Sequence, residues 1–541
     1  MKIVSSRPFN DQKPGTSGLR KKVTTFQKAG YLQTYVQSIF DSIPELSGGT
    51  IVIGGDGRFY NDTAIQIILS MAAANGVKKV LVSQSGLLST PACSNVIRKY
   101  GAIGGFTLSA SHNPGGPSGD FGVKFNGANG GPIVEAITEK IFKRSLVIDQ
   151  YKITENKPIT LDAIGKHQIG EMEIEVFNGV TDYAEMMENL FDFGAIRKMI
   201  AGGFEICFDA MHAVTGPYAE EIFVNRLGAT SSTLLNAVPR PDFGGVHPDP
   251  GPAYAKALFD KMFSRKAPDF GACSDGDGDR NIVLGKNTYV SPSDSLAILT
   301  ANAHLVKAYQ QGISGVARSM PTSRAVDLVA KKLGIECFET PTGWKFFGNL
   351  LEAGRISICG EESAGAGSDH IREKDGIWAI LMWLNIIAVS KKTVKDILQD
   401  HWQEFGRNYY SRHDYEGVDK SKAETLMKTL EQKFESLKGM KLHGETIRQA
   451  DSFTYVDPID GSVSHNQGLR IEFESGSRIV LRLSGTGTVG ATLRLYLERY
   501  VPSTGNLGQD TQAALDNLKN IADEIAEIKS ILDRDAPTVI S

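Results

Sequence analysis

The chain is poor in cysteine. It carries five, Cys93, Cys207, Cys273, Cys337 and Cys359, among 541 residues. They are odd in number, far apart, set in apolar runs and never spaced C-x-x-C. That excludes a disulfide scaffold and reads as buried thiols in a reducing compartment. Long apolar runs are also missing. The longest, 377–389, is interrupted by Asn385 and falls short of a bilayer. It predicts a buried helix. The opening residues, Met1 to Pro8, have too short an apolar core for a signal peptide. A cytoplasmic protein with no membrane partner is expected. Charge of one sign is lacking too: 58 Lys and Arg face 62 Asp and Glu, for a net −4. The balance leaves room for a local basic cleft but offers nothing in bulk to nucleic acid, and no such partner is expected. There is no Gly-x-Ser-x-Gly elbow, no P-loop Lys-Ser/Thr and no repeat at a solenoid period.

Glycine is abundant, at 57 residues. Many sit in loops after strand-like runs, as α/β proteins with working loops require. Apolar spacing predicts helices over 31–43 and 63–75, with strands at 49–54 and 79–83. The stretch 151–180 reads as polar and irregular, with a boundary near Val180. A helix over 182–191 and a strand over 204–209 open a second segment. A third opens near 291–292, and a fourth begins after Gly406. The fourth is predicted to hold a charged helix over 421–436. Strands at 454–456, 469–473, 479–483 and 491–498 come next, then an amphipathic helix over 510–532.

Four loops carry chemistry. The first is Thr107-Leu108-Ser109-Ala110-Ser111-His112-Asn113-Pro114, running into a breaker-rich Gly115 to Gly119. It places Ser111 on a turn past a strand end, where open sheets keep reactive groups. Alone it also reads as an Asn-Pro turn with a capping serine. Lys124, on the alternating run just beyond, could point back to it. The second loop is Ser274-Asp275-Gly276-Asp277-Gly278-Asp279-Arg280. Three crowded carboxylates repel, and a hard divalent cation is the usual remedy. The calcium-hand pattern fails, because its sixth and twelfth positions hold Arg280 and Lys286. A Mg²⁺ site shared with a phosphate fits instead, and Arg280 beside it suits an anion.

The third loop, Gly360-Glu361-Glu362-Ser363, suits hydrogen bonding to sugar hydroxyls or a helix-capping turn. The fourth, Arg482-Leu483-Ser484-Gly485-Thr486-Gly487-Thr488-Val489-Gly490, matches G-x-G-x-x-G. The dinucleotide fingerprint requires a helix next, but residues 492–497 alternate like a strand, so that reading fails. The loop instead offers amides and hydroxyls between Arg482 and Arg494, a monophosphate cradle or a plain hairpin. A hydroxyl, a magnesium loop and a phosphate grip together suggest phosphoryl transfer. Ser111 would carry the group, with its oxygen a metal ligand beside Asp275, Asp277 and Asp279.

These four loops, in this order, resemble the signature loops of the α-D-phosphohexomutase superfamily. The flanks narrow the resemblance to its phosphoglucomutases: Lys13-Pro-Gly-Thr-Ser-Gly-Leu-Arg20, Pro341-Thr-Gly-Trp-Lys-Phe-Phe-Gly348, Ser368-Asp-His-Ile-Arg-Glu-Lys-Asp-Gly376 and Ala536-Pro-Thr-Val-Ile540. The resemblance implies an α/β fold around a central cleft. Three similar α/β domains with mixed sheets (1–180, 181–291, 292–406) precede a C-terminal α+β domain (407–541) with an antiparallel sheet and helices. It implies interconversion of glucose 1-phosphate and glucose 6-phosphate through a phosphoserine. One Mg²⁺ per chain and glucose 1,6-bisphosphate, as intermediate and activator, come with it. Arg20 and Arg280 would support the transferring phosphate. Thr342, Gly343, Glu361 and Ser363 would bind the sugar, with Lys374 near it. Arg482, Ser484, Gly485, Thr486 and Arg494 would grip the other phosphate. His112 and Lys124 are the acid/base candidates. The expected partners are hexose phosphates, and the expected state is a monomer or weak dimer. Phosphomannomutase activity is the alternative within the same chemistry.

Overall fold

The computed structural model describes residues 1–15, 17–484 and 490–541. The chain divides into two compact units. One comprises 1–292, 302–314 and 347–395; the other comprises 293–301, 315–346 and 396–541.

The first unit holds two mixed sheets. In the seven-stranded one, Thr50–Gly55 is central and pairs in parallel with Lys79–Leu87 and Gly104–Leu108. The helices Asn61–Ala74 and Thr90–Lys99 make the crossovers that parallel strands need. Gly104–Leu108 then turns back as the antiparallel strand Asp120–Gly127. The turn between those two strands is the Ser111 loop. The central strands are buried on both faces, which is why they read as continuous apolar runs. The stretch 151–180 is more regular than its composition suggests. Gly165–Ile169 and Met172–Phe177 form a hairpin, and Met172–Phe177 lies parallel to Lys79–Leu87. Its inward residues Met172, Ile174 and Val176 are buried while the intervening glutamates stay partly exposed. This half-buried alternation is weak in a short window.

The second sheet sets Ile206–Asp209 parallel to Phe270–Ser274, which pairs antiparallel with Asn281–Gly285. The turn between the last two strands is the aspartate loop. The apolar run 377–389 is a helix, Gly376–Ser390, buried over nearly all its length. Among the described residues no single helix is long and apolar enough to cross a membrane.

The second unit contains an antiparallel seven-stranded sheet with the helices Lys420–Gln432 and Thr511–Ala526 over its core. Two of its strands escape a hydropathy reading. Arg407–Val418 and Glu445–Ser452 are polar, and their burial is interrupted along their length. The expected helix over 510–532 breaks at Glu527, whose φ is 52°. The same unit carries the parallel pair Gly315–Ser319 and Glu336–Thr340. A buried ionic lattice ties that pair to the antiparallel sheet. Arg478 Nε donates to Glu498 Oε2 at 2.5 Å, and Arg478 Nη1 donates to Met320 O at 2.7 Å. Glu498 Oε1 also accepts from Arg324 N and Asn408 Nδ2.

Burial pushes the Glu498 carboxyl up, but Arg478 and Arg324 outweigh it and hold it down at about 2. Its folded pKa lies below the unfolded carboxylate value, so its stabilisation is full at neutral pH. That stabilisation is lost as pH falls from the unfolded value through about 2. Glu498→Gln is expected to cost about 3 kcal/mol, because buried Arg478 loses its nearest counter-charge and keeps only Glu339, at 3.7 Å. Urea unfolding at pH 7 and pH 3 checks this: the gap between variant and parent should narrow at the lower pH.

Candidate active site

Ser111 sits just past the buried strand Gly104–Leu108 and is itself 1% exposed. Its φ is 52°, a left-handed conformation that a serine keeps only when tightly held. The holding group is Arg58. Its guanidinium is fully buried and donates to Ser111 O at 2.7 Å and Asp120 O at 2.9 Å. Asp56 pairs with Arg58 and accepts from Ser109 Oγ at 2.6 Å. Ser109 Oγ in turn accepts from Ser111 N at 2.7 Å. The Gly54-Gly55-Asp56-Gly57-Arg58 turn reads as mere punctuation in the sequence, so nothing local announces this support. Arg58→Lys keeps the charge but loses the fork that spans two carbonyls. It is expected to cost about 1–3 kcal/mol and to lower turnover at unchanged KM. Thermal unfolding and steady-state kinetics check both parts.

Ser111 Oγ donates to Asp275 Oδ2 at 3.0 Å. The three aspartates of the second loop are each at most 2% exposed, and one ligand oxygen from each falls within 4.8 Å of the others. Gly278 lets this tight loop form. Its φ is +80°, and a Cβ there would lie 2.9 Å from Thr215 Cγ2. Asp275 Oδ1 accepts from the amides of Asp279 and Arg280. Asp277 Oδ2 accepts from Lys124 Nζ at 2.6 Å and Thr90 Oγ1 at 2.7 Å. Asp279 Oδ2 lies 3.1 Å from Lys374 Nζ. The remaining oxygens, Asp277 Oδ1 and Asp279 Oδ1, are buried with no hydrogen-bond partner. Buried carboxylate oxygens left unpaired are costly, and a cation with oxygen ligands would satisfy them. The residues present therefore fit the divalent ion expected from the sequence. Burial and its two acidic neighbours push Asp275 well up, which is the repulsion such an ion would relieve.

Cations ring these carboxylates. Arg280 Nη1 reaches Asp249 Oδ1 at 3.3 Å, while Arg280 Nε and Arg20 Nε are buried without partners. Two guanidiniums with shielded, unused donors suit an oxyanion. Burial and the charges of Arg280 and Arg20 push His112 well below its ordinary value, so its imidazole is neutral. Its Nδ1 lies 3.4 Å from Ser111 Oγ. Burial opposes the Lys124 charge, but Asp277, Asp279 and Glu373 outweigh it and hold the ammonium. Of the two acid/base candidates, His112 is the one with a free lone pair. The third loop joins the same unit: Asn281 N donates to Ala364 O at 2.9 Å, and Arg280 bridges Gly365. Glu361 is 6% exposed and Ser363 partly so.

Thr342, Gly343, Arg482, Ser484 and Arg494 belong to the second unit. Arg482 and Arg494 are direct cross-strand partners. Like charges placed opposite each other destabilise a sheet; Asp414 Oδ2, 3.8 Å from Arg494 Nε, offsets part of that, and an anion between the two arginines would offset more. Gly485 and Thr486 lie outside the described residues.

Four family models cover nearly the whole chain. They are the phosphoglucomutase/phosphomannomutase alpha/beta/alpha domains I, II and III, over 11–152, 181–288 and 292–405, and the phosphoglucomutase-1 C-terminal domain over 407–538. The chain belongs to the phosphoglucomutase family. A phosphoglucomutase of Rhizobium radiobacter is 59% identical over 541 residues, spanning the full length of both chains. A cytoplasmic phosphoglucomutase of Bromus inermis is 50% identical, covering 99% of this chain and 98% of its own. The open form of the Paramecium phosphoglucomutase parafusin matches with a TM-score of 0.93 at 46% identity, over 100% and 99% of the two chains. As the resemblance implied, this phosphoglucomutase-family chain has three α/β domains with mixed sheets and a C-terminal antiparallel-sheet domain.

Proposed function

We propose that the chain interconverts α-D-glucose 1-phosphate and glucose 6-phosphate by parking a phosphoryl group on Ser111. The observation that carries this is the buried Ser111 hydroxyl, 3.0 Å from an aspartate whose two neighbours keep unsatisfied oxygens. Asp275, Asp277, Asp279 and the Ser111 oxygen would hold Mg²⁺. When bound, that ion would supply charge neutralisation at the transferring phosphoryl group.

The residues of this chain do the rest. In the forward half-reaction the Ser111 O–P bond breaks, and a bond forms from phosphorus to a sugar hydroxyl oxygen. Neutral His112 accepts the hydroxyl proton, and its Nδ1, 3.4 Å from Ser111 Oγ, gives a proton back to the departing serine oxygen, so the imidazole ends as it began and the serine as a hydroxyl. Lys124, held charged, stabilises Asp277. Arg20 and Arg280 turn their unpaired N–H groups to the phosphoryl oxygens. The product of that half-reaction is glucose 1,6-bisphosphate. After the sugar turns around, its other phosphate returns to Ser111. Glu361, Ser363, Thr342, Gly343 and Lys374 would bind the sugar. Arg482, Ser484, Gly485, Thr486 and Arg494 would grip whichever phosphate is not in transfer.

Glucose over mannose rests on full-length relatives named phosphoglucomutases. A cytoplasmic location follows the name of the Bromus relative. The test is an intact-mass measurement for one added phosphate, then coupled turnover of glucose 1-phosphate with and without bisphosphate. Mannose 1-phosphate as sole efficient substrate would reassign the sugar. Phosphate release without isomerisation would make the chain a phosphatase.

A further inference from the structure

The oxygens of Asp277 are not equivalent, and the reason lies 187 residues away. Oδ2 receives two donors, Thr90 Oγ1 at 2.7 Å and Lys124 Nζ at 2.6 Å. Oδ1 is buried and receives none. Thr90 also donates its backbone N–H to Asp277 O at 2.9 Å. One residue thus holds another at main chain and side chain together. Lys124 Nζ lies 3.3 Å from Thr90 Oγ1, so the threonine hydroxyl accepts from the ammonium while it donates to the carboxylate. Its single proton has only that one use.

A carboxylate is symmetric about its Cβ–Cγ bond. Without the Thr90 proton, Lys124 alone faces Asp277. An ammonium on a flexible stem fixes no particular carboxylate rotation. Thr90 opens the helix Thr90–Lys99, whose capping residue Ser89 accepts at Oγ from Ala92 N at 3.2 Å. Its side chain is fully buried. It is therefore a rigid support rather than a mobile hydroxyl.

We propose that Thr90 is a positioning residue for the cation at the aspartate triad: it commits Asp277 Oδ2 to the protein and leaves Oδ1 for the ion. This rests on the reading that the triad holds a divalent cation. Outer groups of this kind tune metal affinity by about 10- to 100-fold. Thr90 is fully buried and its hydroxyl is committed to Asp277 and Lys124, so its part should appear in metal affinity and not in substrate binding.

The experiment uses the full chain with Mn²⁺ as the probe, since Mn²⁺ shares the oxygen-ligand preference of Mg²⁺ and free Mn²⁺ is counted by electron paramagnetic resonance. Thr90→Val keeps the shape and removes the hydroxyl. It is expected to weaken Mn²⁺ binding by about 10-fold or more, with KM for glucose 1-phosphate unchanged at saturating metal. Thr90→Ser restores the donor and is expected to bind Mn²⁺ within about threefold of the parent. Thr90→Ala serves if the valine variant fails to fold by circular dichroism. A folded Thr90→Val or Thr90→Ala chain with parental Mn²⁺ affinity would overturn the assignment. A parent that takes up no Mn²⁺ would overturn it together with the metal reading. Weakened binding by Thr90→Val in a chain without mutase turnover would support Thr90's part while sinking the proposed function.

Discussion

Ser111→Ala is expected to remove glucose 1-phosphate turnover by roughly 10⁴-fold or more, the scale on which loss of a covalent nucleophile is felt. Alanine has no oxygen to carry phosphorus. His112 Nδ1 lies nearby, but it would give a phosphohistidine on a neighbour that Arg58 does not hold. The fold should tolerate the change. The hydrogen bond to Asp275 Oδ2 is lost, worth about 1 kcal/mol. The φ of 52° stays enforced by Arg58 and Ser109, which grip only the backbone atoms of this residue. Intact mass should show no phosphate adduct, while calorimetry should still detect glucose 6-phosphate. Unchanged turnover, or a phosphate found elsewhere on a working chain, would end the assignment.

Asp277→Asn should be almost as severe, for a different reason. The amide can still accept from Thr90 and Lys124 through its one oxygen. Its –NH₂ then points where Oδ1 stood, and a donor facing a cation repels it. Mn²⁺ affinity is expected to fall by at least about 100-fold, with turnover falling alongside. Removing one of three crowded carboxylates should also let the Asp275 carboxyl ionise more readily, since Asp277 is among the groups that push it up. Lys124 loses its nearest counter-charge at the same time, so the metal-free chain should also lose stability, as a buried ion pair broken on one side does. Binding of Mn²⁺ at parental strength would show that the triad is not the metal site. Chelation of the parent should reproduce the loss of turnover reversibly, with activity returning when Mg²⁺ is added back.

The strands with continuous apolar runs are legible because both their faces are buried. Thr50–Gly55 and Lys79–Leu87 fall where apolar spacing predicts strands, over 49–54 and 79–83. Arg407–Val418 and Met172–Phe177 are not legible, since many of their residues answer to solvent, whereas the cleanly alternating Leu469–Phe473 falls where the sequence puts it. The chemistry-bearing loops are legible for a local reason. Asp-Gly-Asp-Gly-Asp crowds charge within one short segment, and no distant partner is needed to see it.

Sequence alone determined the inventory: a serine on a turn, three aspartates, a sugar-type loop, a paired-arginine cradle and the family to which they belong. Tertiary structure decided how they are used. Residues 90, 111, 124 and 277 meet because the first unit packs a helix start, a strand and the loops of its two sheets together, and chain order holds no record of that distance. It also decided which oxygens remain for a cation, because a carboxylate loses its symmetry only when a donor from elsewhere in the fold claims one side.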